Sequence, residues 1–186
     1  MEGVLITERA CSDVQLARDA AAGDSSAFDA LILQHHARIF RLALRMLGNR
    51  EDAEDVQQET FVQAYRKLSM FRGESSFGSW LYAIAARICI SRLRRTSRKP
   101  REAPIDPELI ATIGSPEDSL LAADSARRVR QALSSLSPPD RLLITLKYIE
   151  GLGHEEIADV LKCSVQSSRS RLLRAKKLFR EKYERM

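Results

Sequence analysis

The sequence predicts an all-α protein: two small helical domains joined by a flexible linker, with a helix-turn-helix in the C-terminal domain. The 186 residues include only 8 Gly and 6 Pro, so turn-forming residues are few. Apolar residues recur at helical spacing, and no segment alternates apolar and polar residues as a half-buried strand would. Four of the six prolines lie between residues 100 and 116, where they interrupt the helical pattern. We therefore expect domains over residues 1–98 and 116–186 and a flexible, acidic linker over residues 99–115.

Helix start and stop signals divide each domain further. In the N-terminal domain, Gly23 and Gly48 follow apolar-periodic segments, and Asp24 and Ser25 offer a cap between them. In the C-terminal domain, Pro116 suits a first helical turn. The signals predict N-terminal helices over residues 13–22, 25–47, 50–67 and 76–98 and C-terminal helices over residues 116–135 and 138–149, before the helix-turn-helix.

The helix-turn-helix is expected over Gly153–Arg185. Residues 155–161 form a short amphipathic helix, residues 162–164 form the turn, and Ser164 is a natural N-cap for the second helix. The segment Ser164–Met186 carries eight Lys/Arg against two Glu. A short helix followed by a basic one is the arrangement that places a helix in the major groove of DNA. A helical hairpin with a solvated charged face is the alternative.

The net charge of +5 is unevenly distributed along the chain. Residues 1–98 hold 14 basic and 12 acidic side chains, residues 99–125 hold 2 and 6, and residues 126–186 hold 14 and 7. Within the first part, residues 87–101 contain seven basic residues and no acidic one. Two basic regions separated by an acidic one predict two contacts with a polyanion.

Several functional classes find no support in the sequence. No apolar run approaches the roughly 18 residues of a membrane span, and the N-terminus lacks the pattern of a signal peptide. Cys11, Cys89 and Cys163 are too far apart for a disulfide framework or a zinc pair. We expect a cytoplasmic protein without membrane insertion, metal, cofactor or small-molecule substrate. No catalytic constellation or P-loop is present, so we do not expect an enzyme.

The third predicted helix carries an acidic stripe. Asp52, Asp55 and Glu59 follow i, i+3, i+7 spacing and share one face. Carboxylates near a helix N-terminus complement the helix dipole, so a solvated, capped first turn explains them. For this segment alone that is the preferred interpretation, and a docking surface for a basic protein partner is the alternative. Such a stripe would repel DNA.

The fourth predicted helix combines aromatic and basic residues. Phe77, Trp80 and Tyr82 lie near its start, and five arginines follow between residues 87 and 98. Aromatic side chains stack on unpaired bases while arginines hold the backbone, as in single-strand binding. Core packing explains the aromatic residues at least as well. The arginine run indicates a polyanion nearby, because these charges otherwise repel one another.

Three segments together resemble the bacterial sigma-70 family of RNA polymerase sigma factors, in the extracytoplasmic-function (ECF) group. The segments are DAEDVQQETF, FRGESSFGSWLYAIAARICISRLRR and EGLGHEEIADVLKCSVQSSRSRLLRAKK, in the family's order and spacing. The resemblance covers about residues 14–98 and 116–183. It implies a transcription-initiation subunit that binds core polymerase, directs it to promoters and promotes their melting. It also implies a role in stress responses and control by an anti-sigma factor.

The resemblance implies roles for individual residues. In the family, the acidic helix binds the clamp helices of the polymerase largest subunit, and the C-terminal domain contacts the flap. The matching clamp-binding residues are Asp52, Asp55, Gln58, Glu59 and Phe61. The loop over residues 68–75 captures a flipped base of the minus-ten element, and the following helix grips melted strand and upstream duplex. The matching minus-ten residues are Phe71, Arg72, Ser75, Phe77, Trp80, Tyr82, Arg87, Arg92, Arg94 and Arg95.

The recognition helix of the C-terminal domain reads the minus-thirty-five element in this family. The matching residues are Ser164, Gln166, Arg169, Ser170, Arg171, Leu173, Arg174 and Lys177. The chain departs from the family pattern at Arg87 and Ser91, where Asn and Asp or Asn are common. It also carries Ser168 where relatives have a half-buried apolar residue, which should loosen helix packing by about 1 kcal/mol.

A stand-alone helix-turn-helix regulator that binds duplex DNA as a homodimer is the alternative function. It explains residues 150–185 but leaves the acidic stripe and the aromatic and arginine-rich helix without a role.

Overall fold

The computed structural model describes residues 13–96 and 119–185, and all structural statements below concern these ranges. Helices α1 to α4 cover residues 13–21, Ser25–Leu47, Arg50–Arg66 and Phe77–Thr96, with a 3-10 turn at Leu68–Met70. Helices α5 to α8 cover Ser119–Ser134, Pro138–Ile144, His154–Leu161 and Val165–Glu184. The described ranges contain no strand, so the all-α prediction is confirmed. The linker predicted over residues 99–115 lies outside them.

Helices α2 and α3 form a hairpin whose ends are set by local chemistry. Asp24 caps α2 by accepting hydrogen bonds from the backbone N–H groups of Ser26 and Ala27. Gly48 ends that helix in the left-handed region at φ 81°, which glycine adopts without steric cost. Asn49 then caps α3 by accepting from the N–H of Asp52. The predicted break between the two helices is thus confirmed.

The N-terminal core lies between α2, α3 and α4. Fully buried side chains include Leu31, Leu42, Val56, Phe77 and Leu81. Burial of one such side chain typically stabilises a fold by about 1.5–3 kcal/mol. The packing fixes which faces of α3 and α4 remain at the surface, and these faces carry most of the predicted site residues.

The helix-turn-helix consists of α7 and α8. Lys162 ends α7 in the left-handed region at φ 50°, and Ser164 caps α8 by accepting from the N–H of Ser167. The capping role predicted for Ser164 is confirmed. Leu172 and Ala175 are buried on the inner side of α8, which packs against α5, α6 and α7. The opposite side of α8 faces solvent.

The N-terminal and C-terminal helices also pack against each other. Helix α4 contacts α7 and α6, while α2 contacts α6 and the π-helical turn Thr145–Ile149 that follows it. The Tyr82 hydroxyl donates to the Glu150 carboxylate at 2.7 Å, and Arg41 lies 3.6 Å from the same group. The buried Arg141 guanidinium donates to the carbonyls of Leu133, Ser134 and, across the boundary, Met46. The Met46 carbonyl lies in the last turn of α2, where carbonyl groups have no backbone N–H donor within the helix. Nothing in the sequence pattern indicated this contact.

Candidate functional site

Arg92 of α4 contacts all three carboxylates of the acidic stripe of α3. One Arg92 guanidinium nitrogen lies 3.4 Å from Asp52 and 3.2 Å from Asp55, and the other lies 3.5 Å from Glu59. Burial by itself would lower the pKa of Arg92, but hydrogen bonds and charge from Asp55 and Glu59 raise it overall. The three carboxylates therefore share the Arg92 guanidinium as a counter-ion. We call this set the carboxylate stripe.

Arg92 was expected among the minus-ten residues, but its guanidinium points towards α3. The reason is the position of Arg92 on α4. Each residue turns an α-helix by about 100°, so Arg92 lies about 140° around the helix from Arg87. Arg87, Ser91 and Arg94 share the other side and are exposed. The helical spacing of the sequence carried this signal, because i and i+5 residues do not share a face.

The remaining residues predicted to bind polymerase are divided between surface and core. Gln58 is exposed beside the carboxylate stripe, whereas Phe61 is buried and packs in the core of the helical hairpin. The exposed apolar side chains here are instead Val62 and Tyr65, which follow Gln58 at i+4 and i+7. Sequence reasoning missed these two, although the same spacing placed them on that side of α3.

The loop before α4 is supported by an aromatic cluster. The rings of Phe71, Phe77 and Trp80 lie 5.3–5.5 Å apart between centroids. Phe77 is fully buried at the centre of this cluster and cannot stack on a base, which corrects its placement among the minus-ten contacts. Phe71 and Trp80 are only partly buried, and Arg72 is exposed with Ser75 half-buried in the same loop.

Tyr82 lies at the boundary between the two helical domains. Its side chain is buried, and its hydroxyl donates to Glu150. Burial first, and then the negative charge of Glu150, raise the pKa of Tyr82 far above its ordinary value. In this arrangement Tyr82 is covered by the C-terminal domain, so it differs from the DNA-facing position expected of it.

A groove of about 500 Å³ runs between α4 and the C-terminal domain. Arg87, Arg94 and Arg95 form its basic wall, with Ile90 and Ala86 on its floor. Leu142, Val160 and Leu161 close the other side. Three of the four α4 arginines predicted to contact minus-ten DNA, Arg87, Arg94 and Arg95, therefore line this groove together.

The outer face of α8 presents polar and basic side chains together. Gln166, Arg169, Ser170 and Lys177 are exposed there, and Leu173 is 72% exposed among them. An apolar side chain among hydrogen-bonding ones suits a base edge that carries a methyl group. Arg174 is exposed at the margin and lies 3.3 Å from Asp140, while Arg171 is exposed on the flank. Ser164 uses its hydroxyl to cap the helix.

The chain matches two sequence families, Sigma-70 region 2 over residues 31–99 and Sigma-70, region 4 over residues 126–179. It is 36% identical over 173 residues to the RNA polymerase sigma-H factor of Pseudomonas aeruginosa, spanning 88% of this chain and 90% of that protein. It is 32% identical over 182 residues to the ECF RNA polymerase sigma-E factor of Escherichia coli K12, spanning 93% and 95%. The chain belongs to the ECF group of the sigma-70 family.

Two solved structures share this fold. CnrH, in complex with the cytosolic domain of CnrY, superposes with a TM-score of 0.69 and 28% identity over 91% of this chain and 96% of that chain. RpoE of Bartonella quintana, in complex with the anti-sigma factor NepR, has a TM-score of 0.65 and 24% identity over 84% and 96%. As a sigma factor, the protein is a transcription-initiation factor and not an enzyme.

Cys89, Cys163 and Ser168 of this sigma factor differ in how far they are buried. Burial raises the pKa of Cys89 to about 12, whereas Cys163 is partly exposed; Cys11 lies outside the described residues. Ser168 of α8 is fully buried, and its hydroxyl has no hydrogen-bond partner there. Among the described residues, no three His, Cys, Asp or Glu side chains are placed to hold a metal ion together. None of their helices combines the length and apolar character that crossing a membrane requires.

Proposed function

We propose that this sigma factor binds core RNA polymerase, directs it to specific promoters and promotes their melting. The observation that supports this is one chain with a carboxylate stripe on α3 and separate basic faces on α4 and α8. A negative surface suits a protein partner, whereas the two positive faces suit two segments of DNA. A stand-alone regulator would need only the face on α8.

The polymerase contact is proposed for the exposed side of α3. Asp55, Gln58 and Glu59 offer acceptors there, and Val62 and Tyr65 add apolar area at the next turn. This combination suits a basic helical partner, and the clamp helices of the polymerase largest subunit fill that role in the family. The flap is the corresponding partner for the C-terminal domain.

The minus-ten contact is proposed for α4 and the loop before it. Arg87, Arg94 and Arg95 are placed to hold phosphates, and the half-buried Phe71 and Trp80 edge the loop where a flipped base would bind. Binding of the unpaired strand lowers the free energy of the melted state, so no ATP site is needed. Tyr82 joins this surface only when it leaves Glu150.

The minus-thirty-five contact is proposed for the outer face of α8. Arg169, Ser170, Leu173 and Lys177 share this face and lie beyond the Ser164 cap. A helix presented in this way by a helix-turn-helix enters the major groove. We also propose that an anti-sigma factor regulates this protein in the bacterial cytoplasm, because the structurally similar RpoE is bound to the anti-sigma factor NepR and CnrH to the cytosolic domain of CnrY.

Run-off transcription with core polymerase and two double variants tests the proposal. Asp55→Lys with Glu59→Lys should abolish co-purification with core polymerase and therefore all transcription. Arg169→Ala with Lys177→Ala should leave co-purification intact and weaken promoter binding by about tenfold or more, with a shallower salt dependence. Circular dichroism of both proteins confirms that the helices remain.

The alternative function predicts a different result in the same experiment. A stand-alone regulator would bind a palindromic duplex without polymerase, and the Asp55 and Glu59 changes would leave that binding unaltered. Unchanged co-purification of the Asp55 and Glu59 variant would therefore refute the proposed polymerase contact.

A further inference from the structure

We infer that Arg92 is a positioning residue for polymerase docking, because it gathers Asp52, Asp55 and Glu59 into one ordered array. The inference rests on the proposed polymerase contact of α3. It assigns to Arg92 a role distinct from that of Arg87 and Arg94, which lie on the opposite side of the same helix, and from that of the exposed Arg95.

The geometry makes Arg92 a shared clamp across two turns of α3. One nitrogen of its guanidinium serves Asp52 and Asp55 at 3.4 and 3.2 Å, and the other serves Glu59 at 3.5 Å. Like charges spaced by one helical turn repel each other. Without the guanidinium these carboxylates would spread apart, and the exposed Asp55 and Glu59 side chains would sample more rotamers.

Arg92 itself is held in place from below. Cys89, one turn earlier on α4, is fully buried, and Ile88 is buried beside it. The Arg92 side chain is 26% exposed, so most of it is covered between the two helices. The buried neighbours hold this part of α4 in place, the covered side chain restricts where the guanidinium lies, and the guanidinium in turn positions the carboxylates.

The clamp leaves acceptor capacity for a partner. Each carboxylate offers about four lone-pair sites, and Arg92 approaches only one oxygen of each. The other oxygens of Asp52 and Glu59 also accept from Asn49 and Gln63, so the exposed Asp55 offers the most acceptor capacity. A basic side chain of the polymerase can therefore bind the array while Arg92 stays in place. Ordering before binding reduces the conformational entropy lost on association.

Loss of the clamp has a kinetic signature. Removal of one positive charge makes α3 more negative, so association with a basic partner should be as fast or faster at low salt. Loss of side-chain order should instead appear as faster dissociation, by about tenfold for two carboxylates that become mobile. A residue that contacted promoter DNA would show neither change.

The test compares full-length variants on immobilised core polymerase. Arg92→Ala should dissociate about tenfold faster with no slower association at low salt, and Arg92→Lys should lie between it and the parent protein because lysine lacks the guanidinium fork. Arg50→Ala is the matched control. It removes an ion pair of 2.8 Å between Arg50 and Glu54, both on α3, and should change the dissociation rate by less than about twofold. Arg92→Met, which keeps most of the packed stem, replaces Arg92→Ala if that variant does not fold.

A second measurement separates positioning from DNA contact. Promoter affinity at saturating polymerase should be the same for Arg92→Ala and the parent protein. Unchanged dissociation from polymerase, or a weaker promoter complex at saturation, would overturn the inference. The Asp55→Lys and Glu59→Lys variant distinguishes failure of the proposed polymerase contact from failure of the positioning role. If this variant still binds polymerase, the docking surface itself is misplaced. If it loses binding while Arg92→Ala behaves like the parent protein, only the positioning role fails.

Discussion

Replacement of Ser168 with alanine should stabilise the C-terminal domain. Ser168 is fully buried on the inner side of α8, and its hydroxyl finds no hydrogen-bond partner among the described residues. A hydroxyl buried in this way typically costs about 1–3 kcal/mol, and alanine gains about 0.5 kcal/mol more from helix propensity. Loss of one small atom leaves a gap that costs up to about 1 kcal/mol. The net expectation is a stabilisation of about 1 kcal/mol.

Ser170→Ala is the matched control for this change. Ser170 lies on the same helix but is exposed, and its hydroxyl donates to the carbonyl of Gln166 at 3.1 Å. Its replacement changes helix propensity without relieving a buried hydroxyl. The difference between the two variants in the free energy of unfolding therefore isolates the cost of burial.

Urea unfolding monitored by circular dichroism measures this difference, with thermal unfolding as a second observable. A gain of 1 kcal/mol should raise the melting temperature by about 2–4 °C for a chain of this size. If Ser168→Ala were no more stable than Ser170→Ala, the hydroxyl would have a partner that the structure does not show, and the reasoning would be refuted.

Two further predictions concern buried titratable groups. The folded-state pKa of Tyr82 lies above the ordinary value of 10.0, so its bond to Glu150 is intact below that pH and is lost as the pH rises through the folded value. Ultraviolet titration of the tyrosines in the native protein from about pH 8 to 11 should therefore give the same curve for Tyr82→Phe as for the parent protein. A smaller absorbance change for the variant would contradict the burial of this hydroxyl. Because the pKa of Cys89 is raised to about 12, a disulfide reagent near neutral pH should label Cys163 and spare Cys89 until the protein unfolds. Cys163→Ala should remove one fast-reacting thiol, and Cys89→Ala should remove none.

The sequence was sufficient to predict the fold class because each helix carries its own boundary signals. Asp24, Gly48, Asn49 and Ser164 all act at the positions where the pattern placed a start or a stop. These signals are local, so they can be recognised in the sequence without knowledge of tertiary packing. The helical spacing also held enough information to separate Arg92 from Arg87, although residue type alone grouped them together.

Tertiary contacts determined what the sequence could not indicate. Tyr82 bonds to Glu150, which is 68 residues away along the chain, and no periodic pattern reports such a pair. Arg141 reads as an exposed residue of a short helix, yet it is buried and bonds to three carbonyls. Phe77 carries the aromatic chemistry of a base contact but fills the core. Composition describes what a side chain can do, and packing decides whether it is available.

If the proposed minus-ten contact includes Tyr82, its packing beneath the C-terminal domain would couple promoter affinity to an equilibrium within the protein itself. A ligand that needs Tyr82 binds only those molecules whose halves have separated, so the measured dissociation constant is the intrinsic one divided by their fraction. If about one molecule in a hundred were apart, every promoter would be bound about a hundredfold more weakly with no change at any contact to DNA. The bond between Tyr82 and Glu150 would then weaken binding at all promoters by the same factor, although Glu150 belongs to neither predicted DNA surface.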